Sequence, residues 1–190
     1  MLPEKTSVDK FFHTLFGGHD HIVAGDKFET EPELMGNIVE KASKYAFPLY
    51  TVNPIHPSID FAYGYDPKKY EPNKPRRADL NCTSLKNLMF EIDGIPLDDQ
   101  LELLFRSGIP WTAIVFSGNK SYHAILSLED NLGEPHTQEG VEQYKQVWKR
   151  LAALINAEYA GKIVSLNEGV LDEATKNPSR FSRFPNYMRQ

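Results

Sequence analysis

Cysteine is almost missing from this chain: Cys82 is the only one among 190 residues. A single thiol cannot form an internal disulfide, and it cannot supply the several cysteine ligands of a structural zinc site. No apolar run approaches the roughly 18 residues that a membrane-spanning helix needs. The segment from Met1 to Lys5 lacks the basic start and apolar stretch of a secretory signal. We therefore expect a cytoplasmic protein that makes no membrane contact.

A strong net charge is also missing. The chain has 21 basic and 26 acidic side chains, a formal net charge of −5, which argues against binding nucleic acid over the whole surface. Basic residues are nevertheless concentrated in two segments, 68–77 and 176–189. The first segment includes Lys68, Lys69, Arg76 and Arg77. Such segments are either solvated loops or local contacts to a nucleic-acid template.

The pattern of apolar residues indicates a mixture of helices and strands. Helical spacing predicts helices over 7–16, from the capping box Thr30-x-x-Glu33 onwards, over 97–105 and over 141–155. Short apolar runs predict strands over 47–53, 87–93, 111–117, 122–128 and 163–166, of which the third and fourth form a hairpin. Residues 54–79 show no period, which is typical of a functional or disordered loop. We expect an α+β fold with helices covering an antiparallel sheet.

Two carboxylates, Glu91 and Asp93, end one of the predicted strands. Residues i and i+2 of a strand project from the same face, so the two acids lie side by side while Ile92 points into the core. Acids on an otherwise apolar strand are costly unless a cation neutralises them, and carboxylates bind hard divalent cations. The pair predicts a metal site; the alternative is two exposed carboxylates at a strand end.

The hairpin turn Ser117-Gly-Asn-Lys-Ser-Tyr-His123 is small and polar. Gly118 and Asn119 tolerate left-handed backbone geometry and suit a tight turn. Ser117, Lys120 and His123 can donate hydrogen bonds to phosphate oxygens. The segment predicts a phosphate-binding turn, although an ordinary hairpin with exposed polar residues has the same composition.

The chain ends with an acid followed by arginines. Asp172 follows the apolar residues Val170 and Leu171, and Arg180 and Arg183 are three residues apart. A guanidinium group matches the geometry of phosphate. The arginines predict either a phosphate contact or a surface helix with solvated side chains.

Together these motifs resemble the archaeo-eukaryotic primase superfamily, and most of all the primase–polymerase domains of phages, plasmids and other mobile elements. The likeness rests on Glu91-x-Asp93, Ser117-Gly-x-Lys-x-x-His123, and Asp172 with Ser179-Arg-x-x-Arg-x-Pro185, in that order. Tyr50-Thr-Val-Asn-Pro54 is similar to the family's strand ahead of the first motif. The resemblance covers roughly residues 47–187.

The resemblance implies an RRM-like antiparallel sheet backed by helices. The N-terminal helical/αβ unit, residues 1–46, is then the other wall of a cleft, and the motifs lie in 47–190. The whole of 1–190 is interpreted as one catalytic domain of a longer protein.

For the site, the resemblance implies two divalent cations, Mg²⁺ or Mn²⁺, bound by the three acids, with nucleotide contacts from the turn and the arginines. The acids are Glu91, Asp93 and Asp172; the nucleotide contacts are Ser117, Lys120, His123, Arg180 and Arg183. The expected activity is DNA priming or polymerisation: template-directed transfer of nucleotides from NTPs or dNTPs on single-stranded DNA. Expected partners are the template, the nucleotide and a helicase domain or protein.

Two alternatives remain open at this point. Glu91 stands where the family commonly has aspartate, and Asn186 where it often has glycine, so the chain also fits a primase-like module that binds nucleotide or single-stranded DNA without catalysis. His19-Asp20-His21 resembles the paired-histidine metal motif of rolling-circle replication endonucleases, which also use a tyrosine nucleophile. Tyr144, however, lies on an apolar helical stripe.

Overall fold

The computed structural model describes residues 5–25, 31–57, 78–160 and 170–185. Within these ranges the protein is mixed α+β with antiparallel sheets, as expected. The four helices are α1 (Val8–Leu15), α2 (Met35–Ala42), α3 (Leu97–Arg106) and α4 (Gln138–Ala160). The strands are β1 (His21–Ile22), β2 (Ala24–Gly25), β3 (Glu33–Leu34), β4 (Leu49–Thr51), β5 (Asn87–Glu91), β6 (Ala113–Phe116), β7 (Tyr122–Ser127) and β8 (Phe181–Arg183).

The sheet β5-β7-β6 is built from the strands that the sequence predicts. β7 pairs antiparallel with both neighbours, and the β6–β7 hairpin is confirmed. Alternation along β5 sends Leu88 and Phe90 towards the core formed with α3 and α4, where the Phe90 ring stacks on Trp148 at 5.3 Å. Met89, from the opposite face of the strand, belongs to the second core.

The second core joins the N-terminal elements to this opposite face. It includes the aromatic side chains Phe11 and Phe12 of α1, together with Tyr50 of β4 and Phe184 just after β8. Phe12 lies 5.1 Å from Tyr50 and 4.9 Å from Phe184, measured between ring centroids. The sheet β5-β7-β6 is therefore covered on one face by α3 and α4, and over part of the other by the N-terminal elements.

The start of α2 differs from the capping-box prediction. Thr30 lies outside the described residues, and Glu33 belongs to β3, which pairs with β1. The helix begins at Met35, and its N-cap residue Leu34 makes no side-chain capping bond. The pairing of Ile22 with Glu33 holds the backbone extended there, so a tertiary contact overrides the local helix signal.

The arginine-containing segment is a strand, and the surface-helix alternative is wrong. β8 pairs with β4, with Tyr50 opposite Ser182, because the segment completes the sheet β2-β4-β8. The predicted strand at 163–166 and most of the predicted loop at 54–79 lie outside the described residues. In the described part of the chain, no helix combines the length and apolarity that crossing a membrane requires.

Candidate functional site

A short stretch of antiparallel pairing brings Asp172 to the first two acids. Ile92 and Leu171 form an isolated bridge, and the backbone N–H groups of Asp93 and Asp172 donate to the carbonyls of Val170 (3.0 Å) and Glu91 (2.9 Å). These bonds place Asp172 directly opposite Glu91 along the outer edge of β5. The backbone positions of the three acids are therefore neighbours at one end of the sheet.

The register of the sheet aligns the motif residues across the strands. Glu91 is paired with His123 of β7, and His123 with Val115 of β6. The order across this end of the sheet is Asp172, Glu91, His123 and Val115. Directly opposed residues of paired strands project from the same face of the sheet. The side chains of Asp172, Glu91 and His123 therefore lie side by side on one face.

Glu91 contacts a serine and a histidine of the neighbouring strand region. Its Oε1 accepts a hydrogen bond from Ser121 Oγ at 2.9 Å and lies 3.4 Å from His123 Nε2. Burial alone would raise the pKa of Glu91. The contacts with His123 and Ser121, and the positive charge of Arg180, outweigh burial and lower that pKa from 4.5 to about 2. Glu91 is therefore ionised at neutral pH, as a metal ligand must be.

We expect Glu91→Gln to lower the free energy of unfolding by about 2 kcal/mol at neutral pH, because a hydrogen bond to a charged group is lost. The folded-state pKa of about 2 lies below the ordinary 4.5, so the carboxylate stabilises the fold above pH 4.5 and loses this effect as the pH falls towards 2. Urea unfolding of both proteins across this range tests the prediction. A difference in stability that stayed constant with pH would contradict it.

Asp93 faces an open depression of about 420 Å³ that is lined also by Gly94, Lys120 and residues 170–172. Its Oδ2 lies 3.0 Å from Lys120 Nζ. Its Oδ1 is buried and makes no hydrogen bond in the described structure. A buried carboxylate oxygen without a donor is suited to a cation that approaches from the depression.

The turn that bears Lys120 is held by Gln100, which sequence reasoning missed, and depends on Gly118, which it named. Gln100 of α3 is fully buried; its Nε2 donates to the carbonyls of Ile95 and Lys120, both at 2.8 Å, and its Oε1 accepts from Tyr122 N at 3.0 Å. Gly118 has φ = +82°, which suits glycine. A signal for Gln100 exists, because it is the polar residue within the apolar stripe of Leu97 and Leu104.

Ser117 and Ser121 close the same turn. Ser117 N donates to the Ser121 carbonyl at 2.8 Å, and Ser121 N donates back to Ser117 Oγ at 3.1 Å. Ser117 is buried, and its hydroxyl hydrogen can still donate to another acceptor. Ser121, which the motif does not include, is the serine that bonds Glu91. Its position two residues before His123, immediately before β7 begins, is the signal that could have found it, because residues i and i+2 of an extended chain project to the same side.

The surroundings of His123 determine which ring nitrogen bears the proton. The backbone N–H of Arg183 donates to Nδ1 at 3.3 Å, and Ser182 Oγ lies 3.1 Å from the same atom. Because a backbone N–H can only donate, Nδ1 accepts, and the neutral ring has its hydrogen on Nε2. This side chain is 5% exposed, and Nε2 makes no hydrogen bond in the described structure. Nε2–H is therefore a buried donor next to Glu91.

The third motif reaches the site through the side chain of Arg180 and the backbone of Arg183. Arg180 Nη2 lies 3.3 Å from Asp172 Oδ2, while Asp172 Oδ1 accepts the backbone N–H of Ala174 at 2.8 Å and caps the short 3₁₀ turn Glu173–Lys176. Arg183 is placed next to His123 through its backbone. Each acid of the site thus has its own polar or cationic neighbour.

The remaining predicted residues lie elsewhere. Lys68, Lys69, Arg76 and Arg77 are outside the described residues. Asp20, between the two histidines of the alternative motif, accepts the backbone N–H of Gly17 at 2.7 Å. Tyr144 is buried and its hydroxyl donates to the Asn87 carbonyl at 2.7 Å, a structural role that does not suit a nucleophile for DNA.

The donor chemistry of the three acids suits a divalent cation, since all are oxygen ligands and Glu91 is ionised. Among the residues that the structure describes, however, no three histidine, cysteine or acidic side chains come together as a group able to hold a metal ion. The carboxylates of Asp93 and Asp172 are directed to Lys120 and Arg180 instead. Metal binding at this site therefore requires these ion pairs to open.

No protein-family model matches the chain, and no curated protein or solved structure matches it either.

Proposed function

We propose that this chain is a primase–polymerase domain that makes primers on single-stranded DNA by metal-dependent, template-directed nucleotidyl transfer. The observation that supports this best is the Ile92–Leu171 bridge. It sets the acid of the third motif beside the two acids of the first, although the motifs are far apart in sequence. Three short motifs that matched the family by chance would not be expected to lie together at one end of a sheet.

The order of elements supports an RRM-like arrangement. Along the chain the order is β5, α3, β6, β7, α4 and then residues 170–172, a β-α-β-β-α-β sequence. In space the strands follow as residues 170–172, β5, β7 and β6. We propose that the N-terminal elements, which pack on the face that bears the acids, form the other wall of the substrate cleft.

In this proposal Glu91, Asp93 and Asp172 hold Mg²⁺ or Mn²⁺. When bound, divalent cations lower the pKa of the attacking 3′-hydroxyl and neutralise the triphosphate and the leaving pyrophosphate. The register of β5 against residues 170–172 fixes the backbones that bear the ligands, so only side-chain rotations are needed to bring the carboxylates together. The activity is that of a nucleotidyltransferase without a covalent intermediate.

The nucleotide is oriented by donors around the acids. His123 presents Nε2–H, Ser117 a hydroxyl and Lys120 an ammonium group, all of which pair with phosphate oxygens. Arg180 and Arg183 add positive charge where the triphosphate develops negative charge. Lys68, Lys69, Arg76 and Arg77 are proposed to border the template. A cytosolic location and a helicase partner follow from the proposed role in replication.

A second candidate, a primase-like module that binds nucleotide without catalysis, is favoured by one observation. The carboxylates of Asp93 and Asp172 are already neutralised by Lys120 and Arg180. If these ion pairs never open, the domain binds phosphate through its donors but holds no catalytic cation.

Primer synthesis on single-stranded DNA distinguishes the candidates. Wild-type protein with labelled nucleotides and Mn²⁺ or Mg²⁺ is expected to give products whose composition follows the template, and a chelator is expected to abolish them. Reactions without template exclude untemplated addition. Nucleotide binding without any product would favour the binding module. Nicking of the template with protein attached to the DNA would instead support the endonuclease alternative.

A further inference from the structure

The ammonium group of Lys120 lies where a cation bound by Asp93 would be expected. Nζ is 3.0 Å from Asp93 Oδ2, next to the depression that Asp93, Lys120 and Asp172 share. The Lys120 side chain is 68% exposed and the Asp93 side chain 38%, so the pair faces solvent and is accessible to ions. An exposed pair of this kind contributes little to stability and opens readily.

The backbone beneath Lys120 is fixed while its side chain is free to turn. The buried Gln100 donates to the carbonyls of Ile95 and Lys120 and accepts from Tyr122 N. The bonds between Ser117 and Ser121 close the turn. The lysine stem has four rotatable carbons, so the ammonium can move by several ångströms without disturbing the turn.

A divalent cation that bound Asp93 would compete with Lys120 for the same carboxylate. Asp93 Oδ1 is buried and has no hydrogen-bond donor in the described structure. A cation can therefore bind both carboxylate oxygens of Asp93 only if the Lys120 ammonium leaves Oδ2. The displaced ammonium stays at the rim of the same depression, where it is available to a phosphate group.

We propose that Lys120 is an exchangeable counterion: it neutralises Asp93 when no divalent cation is bound, and cation binding releases it to bind the phosphates of the nucleotide. The inference rests on the proposed function and adds to it a coupling between cation binding and nucleotide binding. By thermodynamic linkage, the cation strengthens nucleotide binding and the nucleotide strengthens cation binding by the same factor, part of which comes from Lys120.

The test is Mn²⁺ binding to the whole chain without nucleotide, measured by electron paramagnetic resonance of the free ion. Lys120→Met keeps the length of the side chain and removes the competing charge. It is expected to bind Mn²⁺ about two- to fivefold more tightly than wild type, the range that corresponds to an exposed ion pair. Lys120→Arg keeps the charge and is expected to bind Mn²⁺ as wild type does. Lys86→Met, at the opposite end of β5, is the matched control and should also leave the affinity unchanged.

A second measurement examines the coupling. Mn²⁺ should increase the affinity for a deoxynucleoside triphosphate in both proteins, but by a factor about two- to fivefold smaller in Lys120→Met. Mn²⁺ affinity that is unchanged or weaker in Lys120→Met overturns the exchange, even when the wild type makes primers. Wild-type protein that binds no Mn²⁺ overturns both the exchange and the proposed metal-dependent function.

Discussion

If the proposed function is right, Asp172→Asn is expected to lower the rate of template-directed incorporation about a thousandfold, because loss of one charged ligand of the proposed metal site removes several kcal/mol of transition-state stabilisation. The fold should survive the change. Asparagine retains Oδ1, which can still accept the N–H of Ala174, and it is as good an N-cap as aspartate. The backbone bond from Asp172 N to the Glu91 carbonyl is also unaffected. The measurement is primer synthesis at saturating nucleotide and Mn²⁺.

Glu173→Gln is the matched control for this variant. The residue is adjacent in sequence and its side chain is 80% exposed, but its carboxylate pairs with Lys176 at 2.9 Å instead of facing the other acids. The substitution removes the same charge with the same change of group, so a rate within about twofold of wild type is expected. Equal losses of rate in the two variants would show that the activity depends on the local negative charge and not on metal binding by Asp172. Full activity in Asp172→Asn would remove Asp172 from the proposed site.

The acid pair and the hairpin are the parts of the site that the sequence predicts best. Their geometry follows from the two-residue period of a strand and from the turn residues at Gly118 and Asn119, which are local properties. The alternation that buries Phe90 and exposes Glu91 to the opposite face is readable from the same pattern. The long helix α4 follows equally from its apolar spacing.

The contacts that assemble the site do not follow from local pattern. Val170, Leu171 and Asp172 are too few to show a period, and their partner strand lies far away in the chain. The strands β1, β2 and β3 have two residues each, and β8 has three, so pairing rather than sequence determines them. The ion pairs of Asp93 and Asp172 likewise depend on the final packing, and no sequence pattern predicts that Lys120 and Arg180 neutralise these two acids.

Asn87 is expected to contribute strongly to the stability of the fold, because it joins the sheet to the N-terminal elements. It is fully buried, and its Nδ2 donates to the carbonyls of Leu15 at 3.1 Å and Val52 at 2.9 Å. Its Oδ1 accepts from Ser127 Oγ at 2.6 Å, and its backbone is paired with the side chain of Asn53. One side chain thus connects α1, β7 and the segment after β4.

Asn87→Ala should lower the free energy of unfolding by about 3–4 kcal/mol, since two buried carbonyls lose their donor and each unsatisfied group costs about 1–3 kcal/mol. Urea unfolding followed by circular dichroism measures the change. Asn131→Ala is the control: Asn131 is exposed and accepts from Ser84 Oγ and Leu85 N, so about 1 kcal/mol is expected.

The same substitution should also reach the candidate site, because it takes the donor from the carbonyl of Val52, whose N–H donates to the Arg180 carbonyl at 3.0 Å. Asn53 donates to the Pro178 carbonyl at 3.1 Å and to the Asn87 carbonyl at 2.9 Å, and so ties β5 to the segment that leads from Asp172 into β8. β8 supplies the groups that orient His123. A weaker connection between β5 and β8 should therefore weaken nucleotide binding before the domain unfolds globally. Equal destabilisation by Asn87→Ala and Asn131→Ala would show that the buried Asn87 side chain does not make this connection.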